Sequence, residues 1–299
     1  MLDFIRFRVK AKAAFESLIE HKGLIDLIST YNRFTGETCD YPKKGKLYNL
    51  DVNISNDYAY IEGSVHKFYN LLKEGKKINY NDFKVDKCLY SLDWICDFFK
   101  LDKAETVVTN LEFGFNLSTD FTVSDIIKEN ILLWNFDTHN KRQKYKSKGV
   151  IKEFGIKDYK IKIYAKGEES QIATSNLIRI ELKITAKRIL KRLNICSLSD
   201  INVEAFKTLY NEFIKQFDKL LIVDSIVSPN GLELHDSAFF SEYTKFEKWN
   251  LNKNIKSYYE RKKDERKLRK LLKSNNYDTI QSQLRLLIKQ KFNELIQEP

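Results

Sequence analysis

The sequence predicts an α+β fold in which helices flank a central antiparallel β-sheet and an all-helical region follows. Two features predict it. Between residues 2 and 184, several short segments alternate apolar with polar residues, which is the period of a strand with one buried face. After Thr185 the apolar residues recur every three or four positions, as in amphipathic helices. The change of period predicts a sheet domain over residues 1–200 and a helical C-terminal region over residues 201–299.

The first strands and helices are predicted from the same two periods. Residues 2–9 alternate and predict an opening strand, and helical spacing then predicts one or two helices up to about residue 31. The polar segment 32–46 predicts a loop. Residues 48–54 and 58–65 alternate on either side of a turn, which predicts a hairpin.

The later elements follow in the same way. A helix is predicted from Asp82, and three strands are predicted around residues 110–117, 159–166 and 178–184. Between them, residues 123–148 predict a partly helical segment that becomes strongly basic. Beyond Thr185 the spacing predicts helices over 186–193, 203–221 and 237–299, with an interruption at Pro229, Asn230 and Gly231.

Charge and cysteine usage narrow the class of protein. The formal net charge of +11 favours a polyanionic partner, such as nucleic acid or an anionic membrane surface. The four cysteines lie far apart and show neither metal-ligand nor disulfide spacing, which favours reduced thiols. No segment has the roughly 18 apolar residues of a membrane span. We therefore expect a soluble protein in the cytoplasm.

Three predicted strands place reactive side chains on their polar faces. These are Glu112, Tyr164 and Glu181, with Lys166 and Arg179 close by in sequence. Carboxylates that converge on a sheet face suit Mg²⁺ or Mn²⁺, and a tyrosine hydroxyl beside the cation can attack phosphorus. An ordinary solvated sheet face also carries Glu, Lys and Tyr in cross-strand pairs, so spacing alone leaves both interpretations open.

Four sequence blocks resemble those of rolling-circle replication initiators, the Rep proteins of phages and plasmids, including the filamentous-phage and Rep-trans types. IYAKGEE (163–169) and NLIRIELKI (176–184) resemble the family's YxKxxE and RxE blocks. VVTNLEFGFNLS (107–118) is similar to the block that precedes them. IEGSVHKFYN (61–70), followed by NYNDF (79–83), resembles the GSxxK segment. All four blocks occur in the family's order.

The resemblance implies an HUH-like endonuclease and strand transferase with a carboxylate metal site. Tyr164 would be the nucleophile, Lys166 its neighbouring cation, and Arg179 a phosphate or carboxylate partner. The metal ligands implied for Mg²⁺ or Mn²⁺ are Glu112, Glu169 and Glu181. The sequence departs from the family at Ala165, where an acid is usual, and at Glu112, where many members have Asp. It also contains no His-hydrophobe-His pair.

Three residues keep alternative roles. Tyr159 is the rival nucleophile, but Tyr164 is preferred because a lysine follows it two positions later. His66 is expected to be structural rather than a ligand. Asn116 shares the predicted face of Glu112 and either contacts metal or DNA or makes a hydrogen bond at a strand end.

Basic residues predict where DNA binds. Residues 260–273 hold eight Lys or Arg against three acids, within a predicted helix that suits duplex DNA or, alternatively, a solvated face with i,i+4 ion pairs. The expected DNA contacts are Lys162, Lys67, Arg261, Lys262, Arg266 and Arg269.

The expected partners are origin DNA, both duplex and single-stranded, together with a host helicase and polymerase. Neither a membrane nor a small-molecule substrate is expected. In the proposed reaction, the chain nicks origin DNA and leaves a 3′ hydroxyl for rolling-circle replication. The alternative is a non-catalytic DNA-binding regulator that uses the basic C-terminal helices.

Overall fold

A computed structural model describes residues 1–140, 149–172, 176–224 and 232–297. The strands are β1 (Leu2–Val9), β2 (Lys43–Leu47), β3 (Leu50–Ile54), β4 (Ala59–Ser64), β5 (Thr106–Ser118), β6 (Ile131–Trp134), β7 (Ile151–Gly155), β8 (Tyr159–Ala165), β9 (Leu177–Ile184) and β10 (Leu220–Ile222). The helices are α1 (Lys12–Lys22), α2 (Val65–Glu74), α3 (Val85–Phe99), α4 (Val123–Asp125), α5 (Lys166–Ser170), α6 (Lys187–Arg192), α7 (Val203–Phe217), α8 (Leu234–Tyr243), α9 (Phe246–Ile255), α10 (Tyr258–Ser274) and α11 (Thr279–Ile296).

Eight strands form one antiparallel sheet in the order β2-β3-β4-β1-β5-β9-β8-β7. β6 and β10 pair separately as a small antiparallel ribbon. The helices flank the large sheet, and helices make up most of the chain after residue 200. The predicted α+β class, with a central antiparallel sheet and a helical C-terminal region, is therefore confirmed. The division of the chain at residue 200 into two domains stays a prediction.

One face of the large sheet is dry because aromatic residues of β5 pack against C-terminal helices. The ring of Phe113 lies 6.4 Å from that of Phe206 and 6.0 Å from that of Phe213, both on α7. The ring of Phe115 lies 6.5 Å from that of Phe292 on α11. Burial of such large rings is the main favourable contribution to the stability of this layer.

A second apolar cluster lies under the remaining helices. Leu133 of β6 and Leu221 of β10 contribute to it, together with Trp249, Leu268 and Leu272 from α9 and α10. This cluster attaches the basic helix α10 to the small ribbon.

Several predicted boundaries need correction. The segment after α1 is not helical, because Gly23 ends the helix in the left-handed region at φ 57° and Ile28 donates a hydrogen bond to Lys44 O at 2.7 Å. Residues 43–46, predicted as part of a loop, belong to strand β2 (Lys43–Leu47), whose lysines obscure the alternation of apolar and polar residues. The helix predicted from Asp82 begins at Val85.

One further correction concerns the end of β8. Lys166 begins the short helix α5 and does not continue β8. The basic segment 141–148 and the interruption at Pro229, Asn230 and Gly231 lie outside the described residues. No helix in the described ranges is both long and apolar enough to cross a membrane.

Gly114 sets the spacing between β5 and β9 at the centre of the sheet. It pairs with Glu181, and a Cβ at this position would overlap the carbonyl oxygen of Ile180 and lie 2.8 Å from the Cα of Glu181. The missing side chain leaves room for that of Glu181 to cross over β5.

We expect Gly114→Ala to lower the free energy of unfolding by about 2 kcal/mol, because the added methyl group forces two central strands apart. Gly155→Ala is the matched control, since its Cβ would meet the nearest atom, Lys160 Cγ, at 3.7 Å. The control should change stability by less than about 0.5 kcal/mol. Urea denaturation measures both, and equal stabilities for the two variants would contradict the crowding at Gly114.

Candidate active site

The register of three central strands brings the predicted polar residues together on the sheet face opposite the dry one. Asn116 of β5, Arg179 of β9 and Tyr164 of β8 lie in one row across the strands. The next rows along the strands hold, in the same order, Gly114, Glu181 and Lys162, and then Glu112, Lys183 and Lys160. The predicted convergence of Glu112, Tyr164 and Glu181 on one face is therefore present in the fold.

Arg179 occupies the centre of this face and is buried. Its guanidinium donates from Nε to Glu181 Oε1 at 2.5 Å and from Nη1 to the backbone oxygen of Asn79 at 2.6 Å. Nη1 also donates to Asn116 Oδ1 at 3.2 Å, and Nη2 lies 3.0 Å from Asp3 Oδ2. Arg179 was predicted to pair with a phosphate or a carboxylate, and in the structure it pairs with two carboxylates. The side chain joins β1, β5, β9 and the loop before α3.

Asp3 completes the acidic cluster, although the sequence did not single it out. One carboxylate oxygen each from Asp3, Glu112 and Glu181 lies within 4.8 Å of the others, and all three residues are buried. Strict alternation along residues 2–9 would have placed Asp3 on the dry face with Ile5. A register shift between Leu2 and Phe4 turns Asp3 onto the polar face instead.

These three carboxylates form the acidic triad, and their oxygen donors suit a hard divalent cation. Lys183 Nζ lies 2.8 Å from Glu112 Oε1, and Arg179 holds Glu181 Oε1, so each of these carboxylates has one engaged oxygen. Within the described ranges, the second oxygen of Glu112 and that of Glu181 accept no hydrogen bond. The donor set therefore fits Mg²⁺ or Mn²⁺, and those two oxygens are free to take part.

Burial and neighbouring charges shift the pKa values of Glu181 and Asp3 in opposite directions. Burial raises the pKa of Glu181 above its usual value, and the nearby Asp3 and Glu112 carboxylates act in the same direction. Burial opposes ionisation of Asp3 too, but Arg179 and the hydrogen bond from Ser64 hold the pKa of Asp3 well below its usual range. Of these two carboxylates, Glu181 is the better suited to accept a proton.

Tyr164 is in direct contact with the triad. Its hydroxyl donates to Glu181 Oε1 at 3.1 Å, and Lys166 Nζ lies 5.7 Å from the centre of its ring. Burial raises the pKa of Tyr164 well above its usual value, although Arg179 acts in the opposite direction. The hydroxyl is therefore neutral at rest and has a carboxylate in place to receive its proton.

Glu169 is not part of the triad. Its Oε2 accepts from Lys166 Nζ at 2.6 Å and from Ser170 Oγ at 3.0 Å, because α5 turns it away from the strand ladder. Lys166 also donates to Asn79 Oδ1 at 2.8 Å and is buried. The position that the resemblance gave to Glu169 as a third acid is occupied by Asp3, while Glu169 holds Lys166.

The residues with open roles lie as follows. Tyr159 is on the dry side, where its hydroxyl donates to Glu212 Oε1 at 2.6 Å and accepts from Arg192 at 2.8 Å. His66 stacks on Phe83 at 4.5 Å, and burial lowers its pKa to about 3. Asn116 donates to the backbone oxygen of Asn79 at 3.1 Å, which is the structural role predicted as one of its alternatives.

The cations predicted to contact DNA differ in the contacts that they already make with other residues of the protein. Lys162 lies 3.6 Å from Glu112, and the side chain of Lys67 is half-buried at the start of α2. Arg261 donates to Phe136 O, and Lys262 lies 5.9 Å from the Phe136 and Tyr258 rings.

Arg269 is also engaged in packing. It pairs with Glu265 at 2.6 Å and donates to the backbone of Lys219 and Leu220, which fixes α10 to β10. Arg266, in contrast, is exposed.

α10 has an exposed basic face, but of the residues predicted to contact DNA only Arg266 belongs to it. The cations of this basic stripe share one side of the helix through spacings of three and four residues: Lys263, Arg266, Lys270 and Lys273. None of the four side chains makes an ion pair or hydrogen bond within the part of the chain that the structure describes. The sequence could not separate this stripe from the cations used in packing, because both kinds are Lys or Arg.

No family model and no curated protein matches the chain by sequence. Among solved structures, a rolling-circle replication initiator protein from Geobacillus stearothermophilus aligns with 77% of this chain and 89% of its own length. The identity is 12% and the TM-score is 0.43. So distant a likeness transfers neither a family nor an activity, and the function must rest on the chemistry of the site.

We expect Glu181→Gln to raise the free energy of unfolding at neutral pH when no divalent cation is present. The folded-state pKa of Glu181 is raised, so its contribution to stability is complete below the unfolded-state pKa and is lost as pH rises through the folded-state value. The gain from Gln should therefore shrink as the pH falls toward the ordinary Glu value of about 4.3.

Glu169→Gln is the control of opposite sign. Burial opposes ionisation of Glu169, but the hydrogen bond from Lys166 lowers its pKa, so this carboxylate stabilises the fold above the unfolded-state pKa. Glu169→Gln should lower stability at neutral pH, with less effect in acid. Chemical denaturation across pH in a chelator tests both variants, and a loss of stability in Glu181→Gln would contradict the assignment.

Proposed function

We propose that the chain is a replication initiator that nicks one strand of origin DNA and stays attached to it through Tyr164. The observation that carries the proposal is the hydroxyl of Tyr164, which lies 3.1 Å from a buried carboxylate of the acidic triad. A phosphoryl-transfer site needs a nucleophile, a proton acceptor and groups that stabilise developing negative charge. All three kinds of group meet on this sheet face.

Asp3, Glu112 and Glu181 would hold Mg²⁺ or Mn²⁺, which when bound supplies a Lewis acid for the phosphoryl oxygens. This differs from the ligand set that the resemblance implied, since Asp3 replaces Glu169. Arg179 is a positioning residue in this proposal. It sets the orientation of two of the ligands and is too enclosed to reach a phosphate.

The proposed reaction exchanges one phosphorus–oxygen bond of the DNA backbone for another. Tyr164 Oη attacks phosphorus as its proton passes to Glu181, and a bond from Oη to phosphorus forms while the bond from phosphorus to O3′ breaks. The departing O3′ takes a proton from water and becomes a free hydroxyl. The 5′ phosphate stays on Tyr164, and the reverse attack by a 3′ hydroxyl rejoins the strand. Lys166 supplies positive charge beside the transferring group.

Tyr164→Phe should abolish formation of a covalent protein–DNA adduct, because it removes the attacking oxygen and leaves the ring. The assay is denaturing electrophoresis of the protein incubated with a labelled single-stranded origin oligonucleotide and Mn²⁺. Tyr159→Phe is the matched control, since its hydroxyl is held by Glu212 and Arg192 away from the triad.

An adduct that persists in Tyr164→Phe and disappears in Tyr159→Phe would reverse the nucleophile assignment. Absence of any metal-dependent adduct in the unsubstituted protein would favour the alternative, a DNA-binding regulator without catalytic activity.

We expect the basic stripe on α10 to contact the backbone of duplex origin DNA. Lys263→Gln combined with Lys270→Gln should lower the slope of log affinity against log salt by about 1.8, or about 0.9 for each lost phosphate contact. The control, Lys22→Gln with Lys289→Gln, removes the same charge from exposed positions on α1 and α11. Fluorescence anisotropy across salt concentrations measures the slopes. Equal slopes for the two double variants would show that net charge, and not the stripe, attracts duplex DNA.

A further inference from the structure

A groove of about 300 Å³ lies on the polar face of the sheet, beside the acidic triad and separate from it. Its lining contains three cations and no acid, with two tyrosines among its other members: Arg6, Arg8, Tyr58, Tyr60, Thr109, Asn110, Thr185 and Lys187. A larger groove of about 530 Å³ nearby is lined by Asp26, Asp51 and Glu62 as well as by lysines, so its charge is mixed. Charge complementarity thus favours a polyanion in the first groove.

Aromatic rings and cations alternate in this groove. The rings of Tyr58 and Tyr60 stack at 6.1 Å with an angle of 29° between their planes, and Arg6 Cζ lies 3.9 Å from the centre of the Tyr60 ring. Arg6 is partly neutralised by Glu62 at 3.5 Å, whereas Arg8 and Lys187 are exposed and free of ion pairs within the described residues. Tyr58 is 41% exposed. A stacked aromatic pair beside free cations is an arrangement that binds unpaired bases and their phosphates.

The groove lies next to the candidate active site along β1 and β5. Arg6 pairs with Asn110 across β1 and β5, and Phe4 pairs with Glu112 two residues further along the same strands. Two residues of a strand span about 7 Å, so the floor of the groove begins one pleat from the triad. A single strand that lies along this face can therefore reach both places.

We infer that this groove binds single-stranded DNA next to the nicked phosphate, with a base stacked on Tyr58 and phosphates held by Arg8 and Lys187. The inference rests on the proposed function, because it assigns part of that function's substrate to the groove. Duplex DNA does not fit this chemistry, since its base faces are already stacked on one another. The groove thus selects the unwound strand, whereas the basic stripe of α10 holds the duplex.

Tyr58→Leu tests the inference, with Tyr90→Leu as its matched control. Tyr90 is also 41% exposed, lies on α3 and does not line the groove. The probe is a fluorescein-labelled oligothymidine of about 12 nucleotides, within the range of single-strand binding sites. Affinity is measured in a chelator, so that no transfer reaction contributes.

Tyr58→Leu should weaken binding of the single strand at least about fivefold, while Tyr90→Leu leaves it unchanged and both variants bind duplex DNA normally. Arg8→Gln should lower the salt slope for the single strand by about 0.7. Unchanged affinity in Tyr58→Leu, an equal loss in the control, or an equal loss for duplex DNA overturns the inference. Tighter binding of the matching oligouridine RNA overturns DNA as the occupant.

Photo-crosslinking gives a second measurement that does not depend on a substitution. An oligonucleotide that carries 5-iododeoxyuridine should attach to the peptide containing Tyr58 and Tyr60, and attachment elsewhere would contradict the assignment. These results are independent of Tyr164 chemistry. A crosslink at this peptide without an adduct at Tyr164 would support DNA binding in the groove and contradict the nicking activity. An adduct at Tyr164 without this crosslink would support the nicking activity and contradict DNA binding in the groove.

Discussion

The buried guanidinium of Arg179 is the constraint on which the polar face of this sheet depends. It contacts two carboxylates, a backbone oxygen and a side-chain amide that come from three strands and one loop. Removing the guanidinium would leave Asp3 and Glu181 buried without their cation, and leaving buried charges uncompensated in this way costs about 3–5 kcal/mol in proteins. Arg179 therefore fixes the carboxylates at a separation where three of them share one small volume. Without this cation, the repulsion within the triad would be opposed mainly by the lysines at Glu112.

The polar sheet face carries two of the three environments that the proposed nicking reaction requires, and α10 carries the third. At the triad, burial and neighbouring acids raise the pKa of Glu181, whose Oε1 accepts a hydrogen bond from the hydroxyl of Tyr164. One pleat away, the groove is lined by two stacked tyrosines and by the cations Arg8 and Lys187, which make no ion pair within the described residues. The exposed stripe of α10 belongs to a different surface, fixed to the β6–β10 ribbon through Arg269. The basic regions thus lie apart from the acidic triad. A polyanion bound to them is therefore not held directly against the carboxylates, which would repel it.

The sequence predicts the strands of this fold well where one face is buried, because alternation then has only one solution. It predicts Glu112, Tyr164 and Glu181 on one face for the same reason. It fails at Asp3, where a register shift in β1 reverses the side that alternation assigns. It fails at β2, whose lysine-rich sequence contains little alternation. Alternation extended β8 to Lys166, and the resemblance made Glu169 a metal ligand. The chain instead turns from β8 into α5, where Lys166 and Glu169 pair with each other. Packing, rather than composition, decides which cations of α10 stay free.

Asp3, Glu112 and Glu181 are proposed to bind a divalent cation beside Tyr164. Electron paramagnetic resonance of Mn²⁺ during titration measures this most directly, since bound and free Mn²⁺ give distinct signals. This assignment of the ligands predicts one bound Mn²⁺ per chain, loss of that site in Asp3→Asn, and retention of it in Glu169→Gln. Equal Mn²⁺ binding by Asp3→Asn and the unsubstituted protein, or loss of binding in Glu169→Gln alone, would contradict it.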